Sequence, residues 1–393
     1  MKSVSLAVVA VVCAVALAEQ RVELIDAREL SGRVSAISDK GLVLKTKDEQ
    51  KTIPLADIAG IRYANATDKP GSVAVMTHYG DLLKAKSVSF EGKTLTFKSD
   101  LIQAGTLRLR DLKGIYLTDG KTSAEQLQQR LEEMKISAGA RDVLVVSTED
   151  KKDWVNVQGV AKKMDAKEVL FNYQDKDRIM KRSRVVALLF AVLGKNGRPS
   201  GGSVQLTDGS VLNFEKISLS GGKLKLTGPG LGDMSVATSA VAAVRFQSDR
   251  LTRLTKLKPV SVKEHGFLDT KFPHRMHKSA GGKPLTLDGR GYQQGLGLHS
   301  FAELKYKLDK AYDQLVVRVG IDDSVRPAGN ATVRFLDGEG RELLARKVTG
   351  KDKSEILRIG LEGVKELVIR VEFGEDKLDV GDHVDLVNPN LIK

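Results

Sequence analysis

Residues Gly295–Asp323 read GLGLHSFAELKYKLDKAYDQLVVRVGIDD, and this stretch decides how the last third of the chain folds. Two runs alternate apolar with polar residues: Ala302–Leu308, with Leu304, Tyr306 and Leu308 on one face, and Gln314–Val319. Side chains on a strand point to alternate faces, so each run predicts a strand with one buried side. A turn spaced by Gly295 and Gly297 is expected ahead of His299, because glycine lets the backbone approach a neighbour closely. The second strand ends in Gly320 and the acid pair Asp322 and Asp323.

Outward from this stretch the pattern stays β-rich and does not repeat. Further strands are expected at Ser261–His265, Leu285–Leu287, Ala331–Leu336, Leu343–Val348, Ser354–Ile359 and Glu366–Phe373, with hairpin turns at Asp337-Gly338 and Glu339-Gly340. That many strands in so short a segment predict a two-sheet sandwich or jelly roll over residues 257–393.

An ordered set of residues here carries a resemblance. Gly295, Gly297 and His299 are followed by Tyr312, then Gly320, Asp322 and Asp323, then Asp337-Gly338 and Val364 to Leu367. The set closes on Asp382-His383-x-Asp385 with Pro389 and Leu391. It resembles the NPCBM/NEW2 family, a carbohydrate-binding module found attached to glycoside hydrolases and exported proteins. The resemblance implies a galactose-binding-domain-like jelly roll, which agrees with the strand count. One departure stands out: where members of the family usually carry tryptophan, this chain has Leu386. An aromatic face is the usual platform for sugar C–H groups. A platform in this module would have to use Tyr292, Phe301, Tyr306 or Tyr312, since the single Trp154 lies elsewhere.

The candidate ligand-binding residues are His299, Asp322, Asp323, Asp382, His383 and Asp385, which the family-like fold brings to neighbouring strand ends. Three readings of them stay open. They could form an Asp–His hydrogen-bond network that pins loops. They could hold a structural calcium ion, because carboxylates and carbonyls suit a hard cation. They could touch sugar directly. No other cofactor is implied. His274-x-x-His277 lacks further zinc ligands at clear spacing, and Pro273 favours a loop there.

Upstream, residues 22–248 read as four diverged repeats. Each opens on a short apolar strand: Val22–Ile25, Val73–Met76, Val143–Val146 and Val204–Leu206. A longer second strand follows at Leu30–Ile37, Leu82–Phe90, Trp154–Val160 and Val211–Leu219, and a third after a turn. Each unit closes on apolar residues three apart, as in Leu55-x-x-Ile58-x-x-Ile61 and Leu109-x-x-Leu112-x-x-Ile115. Such spacing fits one short helical or 3₁₀ turn running into a final strand. Glycines at 41, 92, 209, 221 and 222 supply the turns that tight hairpins need. The units resemble small Sm-like or SH3-like barrels. Ser123–Ile136 is the one clear helix, with Ser123 and Gln126 as a capping box. The basic stretch Arg250–Lys258 is either a connector helix or the first strand of the last module.

The expected organisation is therefore a signal peptide at 1–18, repeats one and two at 19–120, a helix and linker at 121–140, repeats three and four at 141–250, and the jelly roll at 257–393. Lys2 followed by the apolar run Val4–Leu17 and Ala16-Leu17-Ala18 predicts cleavage after Ala18. The only cysteine, Cys13, falls inside that run, so the mature chain would have no thiol. The address expected is secreted or periplasmic, with no membrane span after cleavage. Net charge is +13, from 63 Lys and Arg against 50 Asp and Glu, and it is spread along the chain. A basic patch interleaved with aromatics is missing, so nucleic acid is not an expected partner.

Catalysis is not expected. No GxSxG, HExxH, P-loop or dinucleotide fingerprint occurs. Adjacent residues on a strand end point apart, so Asp322 and Asp323 make a poor glycosidase pair. The sequence predicts an exported, non-enzymatic protein that binds carbohydrate, as polysaccharide or glycoconjugate, through its last module. The alternative is a cell-envelope structural or protein-interaction component whose module no longer binds sugar.

Overall fold

The computed structural model describes residues 19–63, 73–103, 105–117, 122–149, 153–192, 197–266 and 272–393. The expected signal peptide lies outside them. The chain is mainly β.

Each repeat is a small closed unit. In the first, Gln20–Leu24 pairs with both Glu29–Ser38 and the last strand, Ile58–Arg62. Val22 thus sits between Leu30 and Ile61 and is fully buried. The same closure recurs for Val73–Thr77, Asp142–Ser147 and Gly202–Leu206. A 3₁₀ turn does precede the last strand in every unit, at Leu55–Asp57, Leu109–Asp111, Arg182–Arg184 and Thr238–Ala240. Only in units one and two does the first apolar residue of the pattern open it; in units three and four the pattern lies in the strand itself. The sequence reading missed the fourth strand of each unit, such as Gln50–Ile53 and Lys176–Lys181. These strands are polar and largely exposed, so they lack the alternation that reveals a half-buried strand.

The long second strand bends in every unit. In units one and three it stays continuous and shifts register at Val34/Ala36 and Ala161/Lys163. In units two and four it breaks, giving Leu82–Ala85 then Ser87–Glu91, and Val211–Phe214 then Lys216–Ser220, where single strands were expected. A bulge or break re-aims the strand so that one half pairs backward and the other forward.

The four units are not free-standing barrels. Unit one joins unit four through their last strands, with Ile61 opposite Val244, and unit two joins unit three, with Ile115 opposite Leu188. Second strands meet in the same pairs, Ile37 opposite Leu219 and Phe90 opposite Met164. Leu82 opposite Val211 then links unit two to unit four, and the result is one 22-stranded sheet over a shared core. Gly60 helps set this pairing: a Cβ there would lie 2.9 Å from the Val244 carbonyl oxygen.

The helix Ala124–Glu133 forms with its capping box, Ser123 accepting from Gln126 N–H and Gln126 from Ser123 N–H. Its buried Leu127 and Leu131 cover Tyr116, Val143, Val145 and Leu189 on the outer face of units two and three.

The last module is a sandwich. One sheet runs Arg275–Met276, Gly295–Leu298, Val384–Ile392, Gln314–Ile321, Glu355–Gly360. The other runs Ser261–Glu264, Ala302–Lys307, Glu366–Phe373, Asn330–Asp337, Glu342–Thr349. Two expectations are corrected here. Gly295 and Gly297 lie in a strand, not a turn. The closing motif is the central strand Val384–Ile392, although it contains Pro389. Proline is tolerated because Asn388 takes φ 49° and the pairing shifts register between Val316 and Arg318.

Leu251–Arg253 adds a strand beside Val384–Ile392, so the basic stretch enters the module's sheet. The array docks on the module through Ile25, Ala27 and Ala59 against Val316 and Ile392. Asn390 Nδ2 donates to the Ile25 carbonyl at 3.1 Å, and Arg250 pairs with Asp57 at 2.8 Å.

Candidate functional site

Three neighbouring strands of one sheet deliver the six candidate residues to the same end of the sandwich. His299 follows Gly295–Leu298, Asp322 and Asp323 follow Gln314–Ile321, and Asp382, His383 and Asp385 open Val384–Ile392. Glycine lets the 278–280 loop pack onto this sheet: a Cβ on Gly297 would fall 2.3 Å from the Lys278 carbonyl oxygen. The shared location was legible in the motif spacing. What the residues do there was not.

Asp322 is fully buried and used as a clasp. Its Oδ2 accepts from Thr286 N–H at 3.0 Å and from the Thr286 hydroxyl at 3.1 Å. Its Oδ1 accepts from Ser324 N–H at 3.0 Å and from the Ser324 hydroxyl. Burial alone would raise its pKa, but bonds from Ser324, Asp385 and Thr286 outweigh it and hold the carboxyl below its usual range. Asp385 is its opposite. It too is fully buried, and burial together with the Asp322 carboxylate pushes it up to about 10. Asp385 is thus neutral at ordinary pH, with a proton to offer Asp322.

Asp323 points outward, as expected for the neighbour of an inward residue. It accepts from Asp288 N–H at 3.0 Å and Gly289 N–H at 2.8 Å, which fixes the hairpin of Leu285–Leu287 with Arg290–Tyr292. Asp382 is fully buried, accepting from Ser300 Oγ at 2.5 Å and Asn330 N–H at 2.7 Å. Burial raises its pKa despite these bonds.

Among the described residues no group of three or more His, Cys, Asp or Glu side chains could hold a metal ion. The carboxylates are divided among separate hydrogen-bond sets instead. His274 and His277 are likewise apart in role: His274 Nδ1 sits 2.7 Å from Glu264, while His277 has φ 60°.

His299 and His383 belong to a cluster of rings that the sequence reading missed. Phe272 stacks on His299 with centroids 3.9 Å apart, and His299 meets His383 edge-on at 5.4 Å. His299 Nδ1 contacts the Ser300 carbonyl at 2.8 Å. Beside it, the exposed His265 stacks on Phe301 at 4.6 Å and tilts toward Phe373. Two polar atoms in this region, Ser279 Oγ and His383 Nδ1, are shut off from solvent without a hydrogen-bond partner. Burial, His299 and Lys283 hold His383 below its usual pKa, against the opposing pull of Asp322, so its ring is neutral. The available sequence signal was that five of the six histidines fall in this module.

Of the four rings considered for a sugar platform, Tyr292, Tyr306 and Tyr312 are buried, at 8 %, 0 % and 2 % exposure, and only Phe301 reaches the surface. Leu386 is fully buried, paired across the sheet with Leu296 and Val319. It is a core residue, and it presents no face to a ligand. Leu386→Trp is therefore expected to overpack the core and destabilise the module by about 1–3 kcal/mol. Chemical denaturation would check this, and an unchanged midpoint would contradict the packing described.

No curated protein matches the chain. Among solved structures it is similar to a CBM51 from Clostridium perfringens GH95 in complex with methyl-galactose, at 21 % identity and TM-score 0.32, covering 36 % of this chain and 99 % of that one. It is also similar to the CBM51-2 and INT domains of Clostridium perfringens ZmpB, at 19 % identity and TM-score 0.33, covering 44 % of this chain and 36 % of that one. A third is the tandem CBM51 modules of Sp3GH98, a family 98 glycoside hydrolase from Streptococcus pneumoniae SP3-BS71, at 12 % identity and TM-score 0.31, covering 63 % and 88 %. Residues 250–392, from the edge strand Leu251–Arg253 to the end of the central strand, match the NPCBM/NEW2 domain, the family that the ordered motifs resemble.

Proposed function

We propose that this chain is an exported, non-enzymatic protein that binds glycan through its last module. The match of residues 250–392 to the NPCBM/NEW2 domain supports the ligand class. The observation that carries the location is the ring cluster of Phe272, His299 and His383 beside His265 and Phe301. Sugar recognition needs an apolar ring face for C–H groups and a few unsatisfied polar groups for hydroxyls. Here Phe301 and His265 supply the face at the surface, while Ser279 Oγ and His383 Nδ1 are polar atoms without partners that a hydroxyl reaches only by displacing what covers them. Of the six sequence-named residues, the half-buried His383 and the buried His299 belong to the ring cluster, while Asp322, Asp323, Asp382 and Asp385 hold the loops of this end.

Export is supported by the apolar run Val4–Leu17 with its small-residue cleavage pattern. Among the described residues no helix is long and apolar enough to cross a membrane.

Affinity-gel retardation of the full chain on a polysaccharide panel tests this reading. Retardation is expected with at least one polysaccharide, and Phe301→Ala should weaken it by about ten-fold or more, as loss of a ring platform does. A folded protein retarded by no polysaccharide would sink the proposal. The second reading, an envelope component that binds protein rather than sugar, is favoured by one observation: three of the four tyrosine and phenylalanine rings considered are core residues.

A further inference from the structure

A second site is built where the array meets the module. There Arg62 and Arg245, on the paired last strands of units one and four, face Arg253 on the module's edge strand. All three are half-buried, and Arg21 and Arg290 stand at the rim. They line a cavity of about 60 Å³ that also takes in Glu23, Tyr292 and Gln293. An open cleft of about 570 Å³ adjoins it and shares Arg21, Arg62, Arg290, Tyr292 and Gln293. A water needs about 10–15 Å³ of such space, so an anion of a few oxygens fits the cavity.

The charge here is not balanced. Arg290 pairs with Glu29 at 3.2 Å. Arg62 instead donates to the Gly291 carbonyl at 3.0 Å, and Arg245 to the Gln293 side-chain oxygen. Both of those acceptors are neutral. Arg253 Nε is shut off from solvent with no acceptor at all. Two carboxylates line the cavity: Glu29, taken up by Arg290, and Glu23, whose Oε1 lacks a partner. Burial raises the Glu23 pKa more than the arginines lower it, which reduces its value as a counter-charge. Burial and neighbouring arginines depress Arg245, and the same causes depress His277 and Lys256 close by. A desolvated positive cluster without a counter-ion is costly, and guanidinium groups match carboxylate and phosphate oxygens two at a time.

We propose that this junction binds an oxyanion, the carboxylate of an acidic sugar or a free phosphate, held between Arg62, Arg245 and Arg253. The ligand would join two units of the array to the module, so its binding would also stiffen the junction. This site is separate from the ring cluster and does not depend on the reading of that cluster.

Calorimetric titration of the full chain tests the proposal, using sodium phosphate, sodium glucuronate and a polyuronate, each against sodium chloride at equal ionic strength. Saturable binding of phosphate or glucuronate is expected. Polyuronate binding more tightly than glucuronate would identify the polymer as the source, and phosphate alone would identify the free ion. Arg245→Gln and Arg253→Gln should each weaken binding by about ten-fold or more, as loss of a charge-assisted bond does. Glu23→Gln, which removes the cavity carboxylate that Arg290 does not engage, should leave binding intact or strengthen it. If a glutamine variant fails to fold, Arg253→Lys keeps the charge but loses the fork, and it should also bind more weakly. No effect beyond that of chloride with any of the three anions, or equal affinity in the folded variants, would overturn the site.

Discussion

Asp322→Ala is expected to loosen the end of the module where Asp322 and Asp382 lie and to cost about 1–3 kcal/mol, mainly for leaving the half-buried Thr286 N–H without its acceptor, since Ser324 is exposed and its N–H can turn to water. Thr286 lies in the short strand Leu285–Leu287, whose hairpin Asp323 also holds, so Asp322 is one of two clasps there and the side-chain anchor of the Ser324 turn. The substitution also removes the carboxylate that, together with burial, keeps Asp385 protonated. Hydrogen exchange would read the effect locally, as lost protection across Gln314–Ile321 and Val384–Ile392. The array should stay protected, and Trp154, the only tryptophan, provides a fluorescence control for it. A change below about 0.5 kcal/mol, the range of ordinary surface substitutions, would mean that Asp322 is not the clasp described.

Asp385→Asn should abolish a pH dependence. The Asp385 carboxyl is held up to about 10, against about 3.9 in an unfolded chain. Between those values the folded state binds the extra proton, so stability falls as pH rises. Its contribution is complete below about pH 4, and each unit above that removes about 1.4 kcal/mol until pH 10 is reached. At pH 7 the loss is roughly 4 kcal/mol. Asp322 acts in the reverse sense: its lowered pKa adds stability above the unfolded value and loses it as pH falls. Asparagine cannot ionise and can still donate to Asp322. Denaturant midpoints of the module are therefore expected to fall from pH 5 to 9 in the natural chain and to stay nearly level in Asp385→Asn. A natural chain with a level profile over that range would show that the two acids do not share a proton.

Much of the architecture could be read from local pattern. Alternation in Ala302–Leu308 and Gln314–Val319 marked strands whose inward faces are indeed the module's core. The apolar residues three apart at Leu55, Ile58 and Ile61 marked a short turn running into a strand, and the structure makes that turn 3₁₀. The capping box at Ser123 and Gln126 worked for the same reason: both partners lie within one turn. The failures also have causes. Gly295-Leu-Gly-Leu298 shows two glycines at alternate positions, which looks like a turn until the Lys278 and Leu386 backbones are seen pressing on that face. Val384–Ile392 has its alternation broken by a bulge and a proline.

The site was legible in its membership and not in its roles. His299, Asp322, Asp382, His383 and Asp385 were grouped by order along the chain, and the sheet does bring them to one end. Phe272 escaped notice because nothing in its neighbours marks a ring that stacks on a residue far along the chain.

By itself, the sequence determined which faces are apolar, where the chain turns, and that an NPCBM-like set of residues closes it. Those properties depend on side-chain type at short spacing, so they are carried by the string of letters. Only the tertiary structure decided that unit one pairs with unit four and unit two with unit three, because an apolar strand edge does not name its partner. It also decided that Leu386 is core, that Asp322 is charged while Asp385 is neutral, and that three arginines from distant segments share one junction. Each of these turns on burial and on neighbours remote in sequence, and desolvation and Coulomb energy act through space.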